Sequence, residues 1–292
     1  MKIKYLLKKL TRKEKIDRIF YERLTEPIHL NILSIFVALF GSYSQKIEFD
    51  LIIRQQNAFG LVKAAQFAKE LGLESITAIE FGVAAGAGLL NICEITKNLT
   101  KETGVKFKIY GFDTGAGMPP PRDYRDQPEI FKEGHFPMVD RKKLLQALPD
   151  NAELIIGNIT ETVPEFIKTL SKESPVGFIS VDVDYYWSAK ECLTVLLGEP
   201  EKYLPMTIVY LDDIGVPSAN PWVGELLAVN EFNAEHLHRK IHPYTFLRSQ
   251  RIFKQTRWIE QIFVMHTLDH YWRSAEQGKP EPKAFVLDNP DL

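Results

Sequence analysis

Cysteine is nearly absent from this chain, with two residues in 292, Cys93 and Cys192. Two thiols build no disulfide framework and fit no metal-ligand spacing, which excludes a stapled fold and a structural zinc site. Each sits in an apolar stretch of helical spacing, where a free thiol is buried, and the expected compartment is the reducing cytoplasm. Long hydrophobic runs are lacking too. The most apolar stretch, 28–40, includes His29, Asn31 and Ser34, and falls short of the roughly 20 residues that a membrane span requires. It has neither the position nor the cleavage site of a signal peptide. It reads instead as a helix that is buried or faces a partner, and a homo-oligomer built through the N-terminal helices is one such arrangement. Strong net charge is the third absence: −2 overall, with a pI near 6.4, gives no electrostatic reason to expect nucleic acid or an anionic membrane. Basic residues do gather at the start, with Lys2, Lys4, Lys8, Lys9, Arg12, Lys13 and Lys15, and read as a solvated helix face.

Up to about residue 70 the pattern is helical, and Leu61–Leu71 ends at Gly72, a natural stop. Alternation then takes over. Ile76–Phe81, Phe107–Phe112, Leu154–Ile156, Val176–Val181 and Thr207–Leu211 are short runs rich in β-branched and aromatic residues. Helix-compatible stretches at 88–99, 138–148, 162–171, 188–197 and 224–238 separate them. Strands alternating with helices imply right-handed crossovers and a parallel sheet covered on both faces. Two further extended runs, around Tyr244–Leu247 and Trp258–His266, suit closing strands, one of them antiparallel. The segment Gly115–Pro137, with five prolines and three aromatics, is too long for a simple connection and reads as a lid.

The strongest local signal is Glu80-Phe81-Gly82-Val83-Ala84-Ala85-Gly86-Ala87-Gly88. A hydrophobic strand ends in an acid, and a turn of small residues opens a helix. Gly82 and Gly86 let the backbone turn tightly and approach a nucleotide, while the helix N-terminus offers free N–H groups. The next strand ends in Asp113, placed to accept both hydroxyls of a ribose. The same glycines fit a short-chain dehydrogenase using NAD(P), and Tyr186-x-x-x-Lys190 supplies its second motif. Against that reading stand the late position of the glycine turn, the placement of the pair after the fourth strand, and the neighbouring Asp182 and Asp184.

Two consecutive strands end in paired acids, Asp182 and Asp184 after the fourth and Asp212 and Asp213 after the fifth. If the fourth strand persists, period-two geometry points Asp182 and Asp184 to the same side. Four carboxylates converging where ligands of open α/β sheets bind repel one another unless protons or a cation intervene. A hard divalent cation with oxygen ligands, magnesium by default, answers that repulsion. It would hold a substrate hydroxyl while a carboxylate removes its proton. Helix caps and solvated loop acids are the plain alternative. Tyr185, Trp187 and His135 are weaker candidates for stacking or base roles.

In order along the chain, Glu80-x-Gly82-Val83-x-x-Gly86, Tyr110-Gly111-Phe112-Asp113-Thr114 with Gly117-Met118-Pro119, Gly157…Glu161-Thr162-Val163-Pro164, Asp182-x-Asp184 and Asp212-Asp213 resemble the macrocin O-methyltransferase (TylF-like) family over roughly residues 54–238. The resemblance implies a class I methyltransferase using S-adenosylmethionine, with magnesium, to methylate a hydroxyl of a small molecule such as a sugar or natural product. It implies a Rossmann-like α/β fold: a mostly parallel seven-stranded sheet, helices on both faces, a helical extension over 1–60 and the cofactor domain over 61–292. Carried over, Glu80, Gly82 and Gly86 line the methionine and ribose side of the cofactor, Asp113 binds the ribose and Asn158 lies near the adenine. Asp184, Asp212 and Asp213 match metal ligands, and Asp182, beside the cofactor, or Asp184 is the candidate base. A methyltransferase without metal and a cofactor-binding subunit that docks a partner through 28–40 are the other readings.

Overall fold

The computed structural model describes residues 20–274. After a π-helical turn at Phe20–Leu24 come three α-helices: α1 (Ile28–Phe40), α2 (Tyr43–Glu48) and α3 (Gln55–Glu70). Strands and helices then alternate as β1 (Ser75–Phe81), α4 (Ala87–Thr103), β2 (Lys106–Asp113), α5 (Arg141–Ala147), β3 (Ala152–Ile156), α6 (Ile159–Thr169), β4 (Val176–Val181), α7 (Tyr186–Leu193), β5 (Tyr203–Leu211) and α8 (Gly224–Glu235). Two strands close the sheet, β6 (Arg239–Pro243) and β7 (Ile262–Thr267). The sheet has seven strands in the order β3-β2-β1-β4-β5-β7-β6. β1 to β5 pair in parallel, and β7 is antiparallel to both β5 and β6. This is the Rossmann-like sheet of the class I methyltransferase fold. β1 and β4 are buried on both faces, as central strands of a doubly covered sheet must be.

Each face has its own core. On one, Phe59, Leu61 and Ala65 of α3 and Leu89 and Ile92 of α4 pack on Ile76, Ile109 and Phe178. On the other, Phe166 of α6, Ala189 of α7 and Phe232 of α8 pack on Ile79, Ile179 and Val209. α3 runs through residue 60, and Gly60 is needed there, because a Cβ would lie 2.4 Å from the Phe178 ring. Among the described residues no helix is long and apolar enough to cross a membrane.

The closing strands depart from the sequence reading. β6 lies at Arg239–Pro243 rather than around 244–247, where Phe246 turns left-handed (φ 61°) and ends the extended run. The helix before it stops at Glu235. An apolar alternation cannot reveal β6, because one of its inward residues is Arg239, buried through an ion pair with Asp269. β7 falls within the expected Trp258–His266 region and is the antiparallel strand, as anticipated.

A clasp joins the first described residues to the tail. Arg251, 3% exposed, donates to Glu48 Oε2 at 2.6 Å, Asp50 Oδ1 at 2.9 Å and the Ile47 carbonyl at 3.0 Å. Arg23 lies 3.9 Å over the Phe253 ring and donates to the Phe49 and Asp50 carbonyls, both at 2.8 Å. Burial pushes the Asp50 carboxyl up to about 6 despite these two cations. Arg251→Ala is expected to lower stability by about 3–5 kcal/mol, the cost of leaving a buried charge without its partner. Urea unfolding measures it, and a loss below about 1 kcal/mol would mean the clasp contributes as little as a surface ion pair.

Candidate active site

Four parallel strands deliver their carboxyl ends to one cavity of about 460 Å³. A staircase of backbone bonds continues the sheet past the strands: Gly82 N–H donates to the Phe112 carbonyl, Asp182 to Phe81, Asp212 to Val181 and Gly157 to Asp113, all at 3.0 Å. Gly82 has φ +86°, and a Cβ there would sit 1.6 Å from the Asp182 carbonyl oxygen, so only glycine fits. Gly86, at φ +84°, caps α4 with no side-chain hydrogen bond, which leaves the N–H groups of its first turn facing the cavity. Asp113 pins this turn. Its Oδ2 accepts from Ala84 N–H at 2.7 Å and its Oδ1 from Gly115 N–H at 2.6 Å.

Glu80 is 2% exposed and lies against the first turn of α4, where a Cβ on Gly88 would meet its Oε1 at 1.9 Å. Its Oε2 is buried with no hydrogen-bond partner. Burial, and then the nearby Asp182, hold its pKa well above the ordinary carboxylate range. Glu80 therefore sets a carboxyl beside a helix N-terminus, the kind of place that favours a phosphate.

β4 ends at Val181, so Asp182 and Asp184 project from the following loop rather than from a continued pleat. Asp184 adopts φ +61°, a left-handed conformation that aspartate tolerates better than most residues. Both still face the cavity, with Asp212 and Asp213 opposite. Asp182, Asp212 and Asp213 each offer a carboxylate oxygen within 4.8 Å of the others. Asp184 stands outside that trio, and its N–H donates to Asp213 Oδ2 at 2.8 Å. Burial and then Asp182 raise the Asp184 carboxyl to about 7. Asp182 and Asp213 are held well above the carboxylate range, each by burial first, then by Asp212 for Asp182 and by Asp184 for Asp213. Asp212 accepts from the Tyr210 hydroxyl.

Three site residues were not singled out from sequence. Gly88 was visible beside the turn, but only the packing of Glu80 shows why it is glycine. Glu225, 2% exposed in the first turn of α8, accepts from Asp213 N–H at 3.1 Å and leaves Oε1 without a partner. An acid in a first helical turn is too ordinary to signal this. Arg54, in the left-handed region at φ +57° before α3, is the one arginine or lysine lining the cavity among the described residues, and nothing in its sequence context marks it.

Asn158 does not line the cavity. It is exposed, its Oδ1 caps α6 by accepting from Thr160 N–H at 3.1 Å, and Ile159 faces the cavity beside it. Tyr185 is buried against Met118 and Phe131, and Trp187 carries the Arg122 and Arg125 guanidinium groups on its face. Neither lines the cavity. His135 and Phe136 do, at an exposed position in the Gly115–Pro137 segment. That segment folds over one side of the cavity. Its neck is closed by Met118 N–H to the His135 carbonyl and Gly134 N–H to the Met118 carbonyl, both at 2.9 Å.

The dehydrogenase pair lies elsewhere. The Tyr186 hydroxyl donates to Glu231 Oε2 at 2.6 Å, and Lys190 pairs with Glu231 and Glu235 at 2.7 and 3.1 Å. Both side chains are spent tying α7 to α8, away from the cavity.

No protein-family model and no curated protein sequence matches the chain. Among solved structures it is similar to the calicheamicin methyltransferase CalS11, at 19% identity over 80% of this chain and 90% of that one, with a TM-score of 0.46. It is also similar to an O-methyltransferase from Bacillus cereus in complex with SAH, at 12% identity, 86% and 95% coverage and a TM-score of 0.39. A third is cmcI with Mg-SAM, at 12% identity, 70% of each chain and a TM-score of 0.38. These likenesses are distant.

The crowded acids set a pH dependence. Their folded-state pKa values lie above the unfolded ones, so the folded protein binds more protons between about pH 4 and 7. Stability of the metal-free protein is therefore expected to rise as pH falls from about 8 to about 6. Magnesium should raise the thermal midpoint more at the higher pH, where it replaces those protons. A profile that is flat with and without magnesium would show that the acids do not share one field.

Proposed function

We propose that this chain is a class I methyltransferase that moves the methyl group of S-adenosylmethionine to a hydroxyl of a small molecule, a sugar or other natural product, with magnesium held by its acids. The observation that carries the reading is the charge of the cavity. Six carboxylates line it, Glu80, Asp113, Asp182, Asp184, Asp212 and Asp213, against the single guanidinium of Arg54. Even where burial keeps Glu80, Asp182 and Asp213 protonated, such a wall gives the pyrophosphate of a nicotinamide dinucleotide little counter-charge and suits a sulfonium cation with its ammonium group. Glu80, at the α4 N-terminus, strengthens that preference.

Glu80, Gly82 and Gly86 hold the methionine and ribose side of the cofactor, and Asp113 takes the ribose hydroxyls with the lone pairs its two backbone donors leave free. The donor set fits magnesium, since three carboxylate oxygens within 4.8 Å of one another suit a hard cation with oxygen ligands at about 2.1 Å. When bound, the ion would lower the pKa of the acceptor hydroxyl. In the transfer the acceptor oxygen bonds to the methyl carbon as the carbon–sulfur bond breaks, leaving S-adenosylhomocysteine. The hydroxyl proton passes to a carboxylate, Asp184 or Asp182. Asp184, raised to about 7, is matched to that role near neutral pH. The cavity's aromatic and proline wall from 115–137 excludes water and orients the acceptor. Two buried free thiols suit a cytoplasmic enzyme.

S-adenosylhomocysteine is expected to bind at micromolar strength in calorimetry, and NAD and NADP not measurably. Asp113→Ala should weaken that binding by about 1–3 kcal/mol. NADP binding without any response to S-adenosylhomocysteine would end the methyltransferase reading.

Asp213→Asn should abolish methyl transfer while changing S-adenosylhomocysteine affinity by less than about threefold, because the cofactor is held by the glycine turn and Asp113. Full activity in excess EDTA would replace the magnesium reading with a metal-free methyltransferase.

Hydrogen exchange across 115–137 should slow on adding S-adenosylhomocysteine more than in the strands beneath. Exchange already as slow as the sheet's without ligand would make the segment a fixed wall.

A further inference from the structure

Arg54 is out of keeping with the cavity it lines, a lone basic side chain facing six carboxylates among the described residues. Its backbone lies in the left-handed region, at φ 57° and ψ 65°, which is unfavourable for a residue with a Cβ and uncommon outside asparagine and aspartate. Such a conformation persists only where the surroundings hold it. Here side-chain bonds flank it on both sides. Asn91 of α4 donates to the Ile53 carbonyl at 3.2 Å, and Gln56 donates to the Tyr210 hydroxyl at 3.3 Å. The Arg54 carbonyl itself accepts from Ala58 N–H at 3.1 Å, at the start of α3. Arg54 is thereby held between the helix that follows the glycine turn and the strand that leads to Asp212.

Among the described residues no hydrogen bond and no ion pair engages its guanidinium. Its charge is felt all the same. Burial, and then neighbouring acids, raise the Glu80 and Asp182 carboxyls, and Arg54 opposes the rise in both. These acids stand at the carboxyl ends of β1 and β4, the two strands that meet at Gly82. A guanidinium that counters two carboxylates and bonds to neither keeps its donors available for a ligand.

S-adenosylmethionine brings a sulfonium, an ammonium and a carboxylate into such a cavity. The acids suit the two cations. The carboxylate is the misfit, because among these acids and out of water it is repelled and loses its solvation unless a cation meets it. The cavity offers one arginine or lysine for that purpose. Arg54 acts on Glu80, on the side given above to the methionine end of the cofactor.

We propose that Arg54 binds the carboxylate of the cofactor's methionine moiety, through the charge-assisted hydrogen bonds that a guanidinium makes to a carboxylate. The assignment rests on the S-adenosylmethionine reading and adds to it the residue that recognises the amino-acid end of the cofactor.

Calorimetry of the full chain with S-adenosylhomocysteine, and with its decarboxylated analogue, tests it. The analogue keeps the ammonium and lacks only the carboxylate. The wild-type chain is expected to bind S-adenosylhomocysteine at least about tenfold more tightly than the analogue, the size of one charge-assisted hydrogen bond. Arg54→Gln should weaken S-adenosylhomocysteine by at least about tenfold and the analogue by less than about threefold, so that most of the preference is lost. Arg54→Lys keeps the charge without the planar fork, and should lose less than Arg54→Gln. The ratio of the two affinities within one variant cancels any change in folding, or in the protonation of the acids, that touches both ligands alike. Equal losses for both ligands would overturn the proposal, because Arg54 would then serve only the acids. Unchanged affinity for S-adenosylhomocysteine in Arg54→Gln would overturn it too, leaving the carboxylate to the α4 N-terminus and Arg54 to an anion on the acceptor. A wild-type chain that binds neither ligand would remove the S-adenosylmethionine reading itself, and the proposal with it.

Discussion

Where β1 ends against β4, the backbone at Gly82 comes so close to the Asp182 carbonyl that any side chain would overlap it. This one approach organises the carboxyl edge of the sheet. It brings the strand carrying Glu80 beside the strand that delivers Asp182, and the backbone ladder then carries the alignment on to Asp212. Acids that are far apart in sequence are thereby compelled to share a cavity. Their mutual repulsion is the cost of that geometry, and protons or a cation relieve it. The positions of the turn and of the acids both follow from how tightly two strand ends are packed.

The acidity that results bears on which cofactor the proposed reading assigns. Dinucleotide sites leave the helix N-terminus open to pyrophosphate. Here a buried carboxylate occupies that position, and Gly88 makes the space for it. A phosphate would have to displace Glu80 and then face five further carboxylates. The glycine pattern by itself fits both cases; the acid two residues before the first glycine is what weighs against a pyrophosphate in the proposed reading.

Much of the sheet was legible in sequence because β1, β4 and β5 are buried runs and β2 an alternating one, all rich in β-branched or aromatic residues and separated by helical spacing. β6 was misplaced because its inward Arg239 is buried by pairing with Asp269, and hydropathy does not register a paired arginine as core. At the site, residues carried by turn chemistry or strand ends were readable: Gly82, Asp113 and the four aspartates line the cavity, while Gly86 caps α4 behind its wall, against Leu144. How the aspartates divide was not. That depends on the loop after Val181, where a left-handed Asp184 turns one carboxylate out of the group formed by Asp182, Asp212 and Asp213. Glu225 and Arg54 arrive from elements whose local sequence carries no mark of the cavity, so only the tertiary arrangement reveals them.

The clasp between the first helices and the tail bears on the order in which the molecule can assemble. Arg251 and Asp50 are 201 residues apart, and Arg257 N–H reaches Glu22 across 235. Contacts of that separation are the slowest to close. During synthesis the earlier segment must wait for the later one. Through that interval Glu26 and Asp50 have yet to meet their tail partners, and the sheet that α3 covers is unfinished. Chain order thus leaves the helical start of the fold unfastened until the strands behind it are complete.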